Sequence, residues 1–171
     1  LQQLAVHHRK QFSIPVIGIT GSNGKTIVKE WLNALLQYKL KIVRSPRSYN
    51  SQLGVPLSVW GMQEHHELAI FEAGITRPGE MALLEKVVRP TIGLITNLGA
   101  AHSEGFSGQA TKLQEKLLLF QQVNCLVYCK DHVLIHDQLR ASQQAFPERR
   151  LISWGRSEGA DIWLKQENTI A

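Results

Sequence analysis

The stretch IPVIGITGSNGKT, residues 14–26, joins an apolar run to a glycine-rich turn. The run is β-branched and ends in glycine, which is the pattern of a buried strand. The segment TIVKEWLNALLQ after it has helical periodicity, with Val28, Trp31, Leu32, Leu35 and Leu36 on one face. Successive backbone N–H groups at such a helix start make a nest for an anion. Gly21 and Gly24 permit the tight turn around Ser22 and Asn23 and the close approach of phosphate oxygens. Lys25 is placed to carry its ammonium to the β and γ phosphates, and Thr26 to offer its hydroxyl to Mg²⁺. The common nucleotide loop is G-x-x-x-x-G-K-[ST]. Counting back from Gly24 puts Ile19 at its first position, and Gly18 stands one residue too early. The GKT core is intact, and the dinucleotide pattern G-x-G-x-x-G is absent.

Outward from this turn the chain alternates. Apolar runs at 40–44, 68–73, 91–99, 124–129 and 150–155 read as strands. Between them, 53–61, 79–88, 110–120 and 133–145 read as helices, and 160–169 begins one more strand. Leu4 to Phe12 reads as the end of a helix. Strict alternation at these lengths predicts an α/β fold, a mostly parallel sheet covered by helices on both faces. The first, third and fourth strands end in Gly21 to Thr26, Glu72 and Asn97 to His102. In an open parallel sheet, ligands bind outside the carboxyl ends of the strands, so these segments are expected to meet in one cleft.

Composition narrows the classes. The chain has 171 residues, 43% hydrophobic and 19% charged, enough for one soluble globular domain. No apolar stretch reaches the ~20 residues a membrane span needs. The net charge of +5 suits an anionic ligand. The basic residues are spread out and no nucleic-acid module signature is present, so a nucleic-acid partner is not expected. Cys125 and Cys129 are neither a disulfide framework nor a zinc site, and a reducing, cytoplasmic home follows as the default. Trp31, Trp60, Trp154 and Trp163 read as packing residues.

TGSNGKT after an apolar strand resembles the ATP loop of the Mur ligases and their folylpolyglutamate and cyanophycin synthetase relatives. SYNSQLGVPLSVWG, FEAGITRPGEM, ITNLGAAHSEGF and QEKLLLF carry the resemblance along nearly the whole chain. They favour the branch that adds D-alanyl-D-alanine to a UDP-muramoyl peptide, some members of which are joined to an alanine racemase. The resemblance implies an ATP- and Mg²⁺-dependent ligase that works through an acyl phosphate. It further implies that residues 14–171 are the central domain, truncated at its end and without the C-terminal ligase domain, and that residues 1–13 are the linker or helix end of a missing N-terminal substrate domain. Such a piece is expected to turn over poorly by itself. Alternatives are another ligase of the superfamily, or a nucleotide-binding module.

The family's pattern also distributes roles. Glu72 and His102 fall where the family holds magnesium, together with Thr26. Lys116 falls where the family carbamylates a lysine to make a further metal ligand; Lys112 shares its helix face, and periodicity alone does not choose between them. Asn97 either orients phosphate or caps local backbone. Asn50, Ser51 and Gln52 lie where the family approaches its peptide substrate. Glu80 reads as a first-turn helix residue, and Arg77 as a turn residue near Glu72. Ile27 departs from the second threonine that many relatives carry after GKT.

Overall fold

The computed structural model describes residues 1–99 and 105–165. The chain runs α1 (Gln2–Arg9), β1 (Val16–Thr20), α2 (Lys25–Leu36), β2 (Ile42–Arg44), α3 (Gly54–Trp60), β3 (Leu68–Glu72) and α4 (Glu80–Val88). It continues with β4 (Ile92–Ile95), α5 (Gln109–Leu117), β5 (Cys125–Cys129), α6 (Val133–Ser142), β6 (Arg150–Gly155) and β7 (Ile162–Trp163). The strands form one sheet in the order β2-β3-β1-β4-β5-β6-β7. Every neighbouring pair is parallel. The expected alternation is therefore realised along the described residues.

β1 and β3 are buried along their whole length, as strands covered on both faces must be. Their side chains alternate between two apolar layers. Ile17, Ile19, Leu68 and Ile70 meet Val28, Leu32 and Leu36 of α2. Val16, Ala69 and Phe71 join the larger core, which holds residues of α1, α3, α4, α5 and α6. The two faces are unequal: α2 covers one side of the β2-β3-β1 region, and most of the helices cover the other.

Two readings of the sequence need correction here. Trp31 and Leu35 do not share the buried face of α2; they are 66% and 75% exposed. Only the stripe Val28, Leu32, Leu36 meets the sheet, because α2 has one packed side and no described element on its outer side. Trp60, Trp154 and Trp163 are likewise exposed. Trp60 packs against His8 in a tilted arrangement with ring centroids 4.7 Å apart, and Trp163 donates Nε1 to Arg156 O. Trp60 and Trp163 thus meet polar neighbours, and none of the four tryptophans fills the core.

α1 is tied to the body by a buried arginine. Arg9 donates Nε to Val88 O at 2.9 Å, Nη1 to Phe12 O at 2.6 Å and Nη2 to Arg89 O at 3.1 Å. A cation at the last carbonyls of α4 also meets the negative end of that helix.

Candidate functional site

The parallel register puts the ends of β3, β1 and β4 side by side. The turn after β1 is held by the segment after β4. Ser22 N donates to Asn97 O at 2.9 Å, and Asn23 N donates to Asn97 Oδ1 at 2.9 Å. Thr96 Oγ1 donates to Asn23 O at 2.6 Å. Asn97 thus fastens the loop with both of its carbonyl groups, the local-backbone role that its residue type allowed. Gly21 has φ 141°, and a Cβ there would collide with Thr96 Oγ1, so the close approach of the two strand ends requires glycine. Gly24, with φ 80°, is the N-cap of α2 and supplies no side-chain cap. The first-turn N–H groups of α2 are left open to an anion.

Beneath the turn lies a buried charge pair. Thr26 Oγ1 donates to Glu72 Oε2 at 3.0 Å. Glu72 Oε1 sits 2.9 Å from Lys29 Nζ, and both side chains are 0% exposed. Lys29 Nζ donates further to Ser45 O at 2.7 Å and to Arg47 O. It also lies 3.1 Å from Glu30 Oε1. Ser45 Oγ accepts from Glu72 N at 3.2 Å. Sequence reasoning passed over Lys29, Ser45 and Thr96. The signal for Lys29 was its spacing: four residues after Lys25 and three after Thr26, on the same face of α2.

Three lysines converge on the loop. Lys25 Nζ donates to Gly21 O at 2.9 Å and to Ser22 O at 3.4 Å. Lys116 Nζ donates to the same Gly21 O at 3.2 Å. Lys112 Nζ donates to Gly99 O at 2.9 Å. Burial, followed by the positive charges of Lys25 and Lys112, lowers the Lys116 ammonium to about 8. Burial lowers Lys25 too; Glu72 opposes that shift and Lys112 adds to it. Burial also lowers Lys112. Helical periodicity left Lys112 and Lys116 equivalent, and both in fact face the loop.

A cleft of about 420 Å³ opens beside the turn, lined by Gly21, Ser22, Lys25, Asn50, Gln52 and Lys116 among others. Ser51, Thr76 and Lys112 also border it, whereas Thr26 and Glu72 lie below its floor. Gln52 is fixed by Nε2 to Glu80 O at 3.1 Å and by Gln2 Nε2 to its own Oε1 at 2.8 Å. Asn50 O accepts from Gly74 N at 2.7 Å. Glu80 caps the turn before α4, accepting from Thr76 N and Arg77 N at 2.7 and 3.1 Å. Burial alone would raise its carboxyl, but these backbone bonds outweigh that and lower it. Arg77 contributes its backbone N–H to this cap, and its positive charge adds to the lowering of the Glu80 carboxyl.

His102 lies outside the described residues. Among the described residues, no three His, Cys, Asp or Glu side chains are grouped to hold a metal. The available donors are the Thr26 hydroxyl and the Glu72 carboxylate. Such hard oxygens are what Mg²⁺ takes alongside nucleotide phosphates, so the residues fit this ion better than a dedicated all-protein cage. Among the described residues, no helix is long and apolar enough to cross a membrane.

The fold and site define a parallel α/β domain with a phosphate-type turn between β1 and α2. Residues 19–170 match the model of the Mur ligase middle domain, and the chain belongs to that family. It is 34% identical over 165 residues to a UDP-N-acetylmuramoyl-tripeptide--D-alanyl-D-alanine ligase of Synechocystis sp., covering 94% of this chain and 35% of that protein. It is 40% identical over 123 residues to the Treponema pallidum protein of the same name, covering 71% and 27%. MurF from Acinetobacter baumannii superposes with a TM-score of 0.81 at 26% identity, over 95% of this chain and 35% of the other. MurF ligase from Thermotoga maritima, solved in complex with ADP, gives 0.78 at 29%, over 94% and 36%. The chain thus spans between about a quarter and about a third of the length of these relatives. The matches lend no support to a fused racemase.

Proposed function

We propose that the chain is the ATP-binding middle domain of a ligase that adds D-alanyl-D-alanine to a UDP-N-acetylmuramoyl peptide, in the cytoplasmic synthesis of peptidoglycan precursors. The observation that carries this reading is the cationic floor of the cleft, where Lys25 and Lys116 both donate to Gly21 O. The Lys25 ammonium, crowded against Lys116 on one carbonyl at lowered pKa, is poised to move onto phosphate oxygens, which bear more charge. The relatives share the ligase name, and one was solved with ADP.

In this reading the open N–H groups at the start of α2 receive phosphate, and Lys25 clamps the transferred group. Gly21, Ser22, Asn23 and Gly24 shape the loop, with Asn97 holding it rigid. Thr26, Glu72 and His102 would hold Mg²⁺, which would supply charge neutralisation of the phosphates when bound. Lys116, neutral in part near pH 8, attacks CO₂ through its amine; the N–C bond forms as one C=O π pair moves to oxygen, one nitrogen proton leaves to solvent, and the resulting carbamate would offer an anionic oxygen to the metal. The peptide carboxylate takes the γ-phosphoryl of ATP as the bond to ADP breaks, giving an acyl phosphate; the D-alanyl-D-alanine amine then attacks its carbonyl carbon, loses a proton, and phosphate leaves with the C–O bond pair. Asn50, Ser51 and Gln52 border the side from which the peptide would approach. Residues 1–13 link to a preceding substrate domain, and a further domain completes the nucleotide and amine sites, so residues 1–171 alone turn over poorly.

Calorimetric titration of ATP with Mg²⁺ into the chain tests this reading. Binding should require Mg²⁺ and be lost in Lys25→Ala. A folded wild-type chain that binds no nucleotide, or a Lys25→Ala chain that binds equally well, would contradict it.

A further inference from the structure

Lys29 is completely buried and forms an ion pair with an equally buried carboxylate. A buried pair is weak evidence for stability, since desolvating two charges offsets much of their attraction. Its geometry here is one-sided. Of the two Glu72 oxygens, Oε2 receives the Thr26 hydroxyl below the phosphate turn. Among the described residues Oε1 has no hydrogen bond, and Lys29 Nζ stands 2.9 Å from it. The ammonium is held there from behind by Ser45 O and Arg47 O. Arg47 adopts φ 48°, a left-handed conformation rare for a non-glycine residue. That local cost persists only where the surroundings enforce it, and here the carbonyl it presents meets Lys29. Lys29 Nζ also lies 3.1 Å from the half-exposed Glu30 Oε1, so the backbone after β2 helps hold one ammonium between an outer carboxylate and the buried Glu72 Oε1.

We propose that Lys29 is a positioning residue that sets the metal preference of the site: by occupying Glu72 Oε1 it restricts the carboxylate to one-oxygen ligation through Oε2, which selects Mg²⁺ over Ca²⁺. The inference rests on the nucleotide-and-magnesium reading above and goes beyond it. The physical basis is the difference between the ions. Mg²⁺ demands compact octahedral ligation with single carboxylate oxygens, whereas Ca²⁺ accepts both oxygens of a carboxylate at longer distance. Removing the ammonium frees Oε1 and makes Glu72 a stronger, two-oxygen donor, which favours the larger ion.

The test is ATP binding to the chain with Mg²⁺ or Ca²⁺ as the sole divalent ion, read by calorimetry. Wild type should bind at least ~10-fold tighter with Mg²⁺ than with Ca²⁺. In Lys29→Met the ratio should fall to within about threefold, chiefly through a gain with Ca²⁺. Lys29→Arg, which keeps a cation against Oε1, should retain most of the preference. A purely structural role for Lys29 would weaken binding with both ions together and leave the ratio unchanged; that result overturns the proposal. Should Lys29→Met fail to fold, the wild-type ratio and Lys29→Arg still decide, because a wild type indifferent to the ion is incompatible with it. A wild-type chain that binds ATP with neither ion overturns the functional reading and this inference together. Lys25-dependent binding without ion preference overturns only this one.

Discussion

At the scale of single residues, the site is built from lysines held where an ammonium is costly. Lys116 is the clearest case, lowered from an ordinary 10.5 to about 8 by burial and then by Lys25 and Lys112. The unfolded chain keeps that proton up to about pH 10.5, while the folded chain releases it near 8. Below pH 8 both states are protonated and the fold bears the full penalty. Between those values the unfolded state holds more protons, so stability rises with pH through this window. Lys116→Met removes the penalty and should stabilise the chain at pH 7 by on the order of 1–3 kcal/mol. Its advantage should shrink as the pH is raised toward 10.5. Urea unfolding at pH 7 and pH 9.5 in CO₂-free buffer measures this, and parallel behaviour of the two chains at both pH values would refute the assignment. The residue types of the phosphate turn were legible from sequence because glycine, lysine and threonine at fixed offsets carry one chemistry. Lys29 was not: a lone lysine on an amphipathic helix reads as solvated, and only the fold shows Ser45, Arg47 and Glu72 closing around it.

At the scale of elements, periodicity located the strands and helices up to β6 to within a few residues, while the strand read at 160–169 is described only as Ile162–Trp163; it did not show how wide each packed face is. The expected five-residue apolar face of α2 shrinks to Val28, Leu32 and Leu36 against the sheet. A hydrophobic pattern reports which side a helix turns inward; what lies on its flanks depends on the neighbours, which a local window does not contain. The consequence is measurable. Trp31→Gln should change unfolding free energy by less than ~0.5 kcal/mol, the usual range for exposed positions. Leu32→Ala, within the packed stripe, should cost about 1–3 kcal/mol, below the ~5 kcal/mol extreme for a fully enclosed leucine because Leu32 is only half-buried. Denaturant unfolding of the two variants gives the comparison, and a larger loss for Trp31→Gln would mean that the exposed face is covered in solution. Loop contacts were the least legible part of the site. Asn97 was recognisable as a phosphate or backbone ligand, but its double grip on Ser22 and Asn23 depends on β1 and β4 being neighbours.

At the scale of the whole molecule, sheet order decides how rigid the site is. The catalytic-type strand ends belong to β3, β1 and β4, three adjacent strands well inside the seven-stranded sheet. β1 is bonded on both sides and buried throughout. β7 has two exposed residues and lies at the sheet edge. Opening free energies vary along a fold with burial and pairing, from near zero at frayed edges to the global value in the core. The amides of Ile17 to Thr20 should therefore exchange with deuterium only through global unfolding, with a free energy equal to that from denaturant melts. Ser22 N, bonded to Asn97 O, should share much of that protection because its partner extends from β4. The amides of Ile162 and Trp163 should exchange at least ~100-fold faster, through local fraying. If the β1 amides exchanged at the rate of β7, the phosphate turn would have no rigid base. Clamping a phosphoryl group depends on donors whose reorganisation is already complete before the ligand arrives, so such a result would remove the physical ground for placing the site at these strand ends.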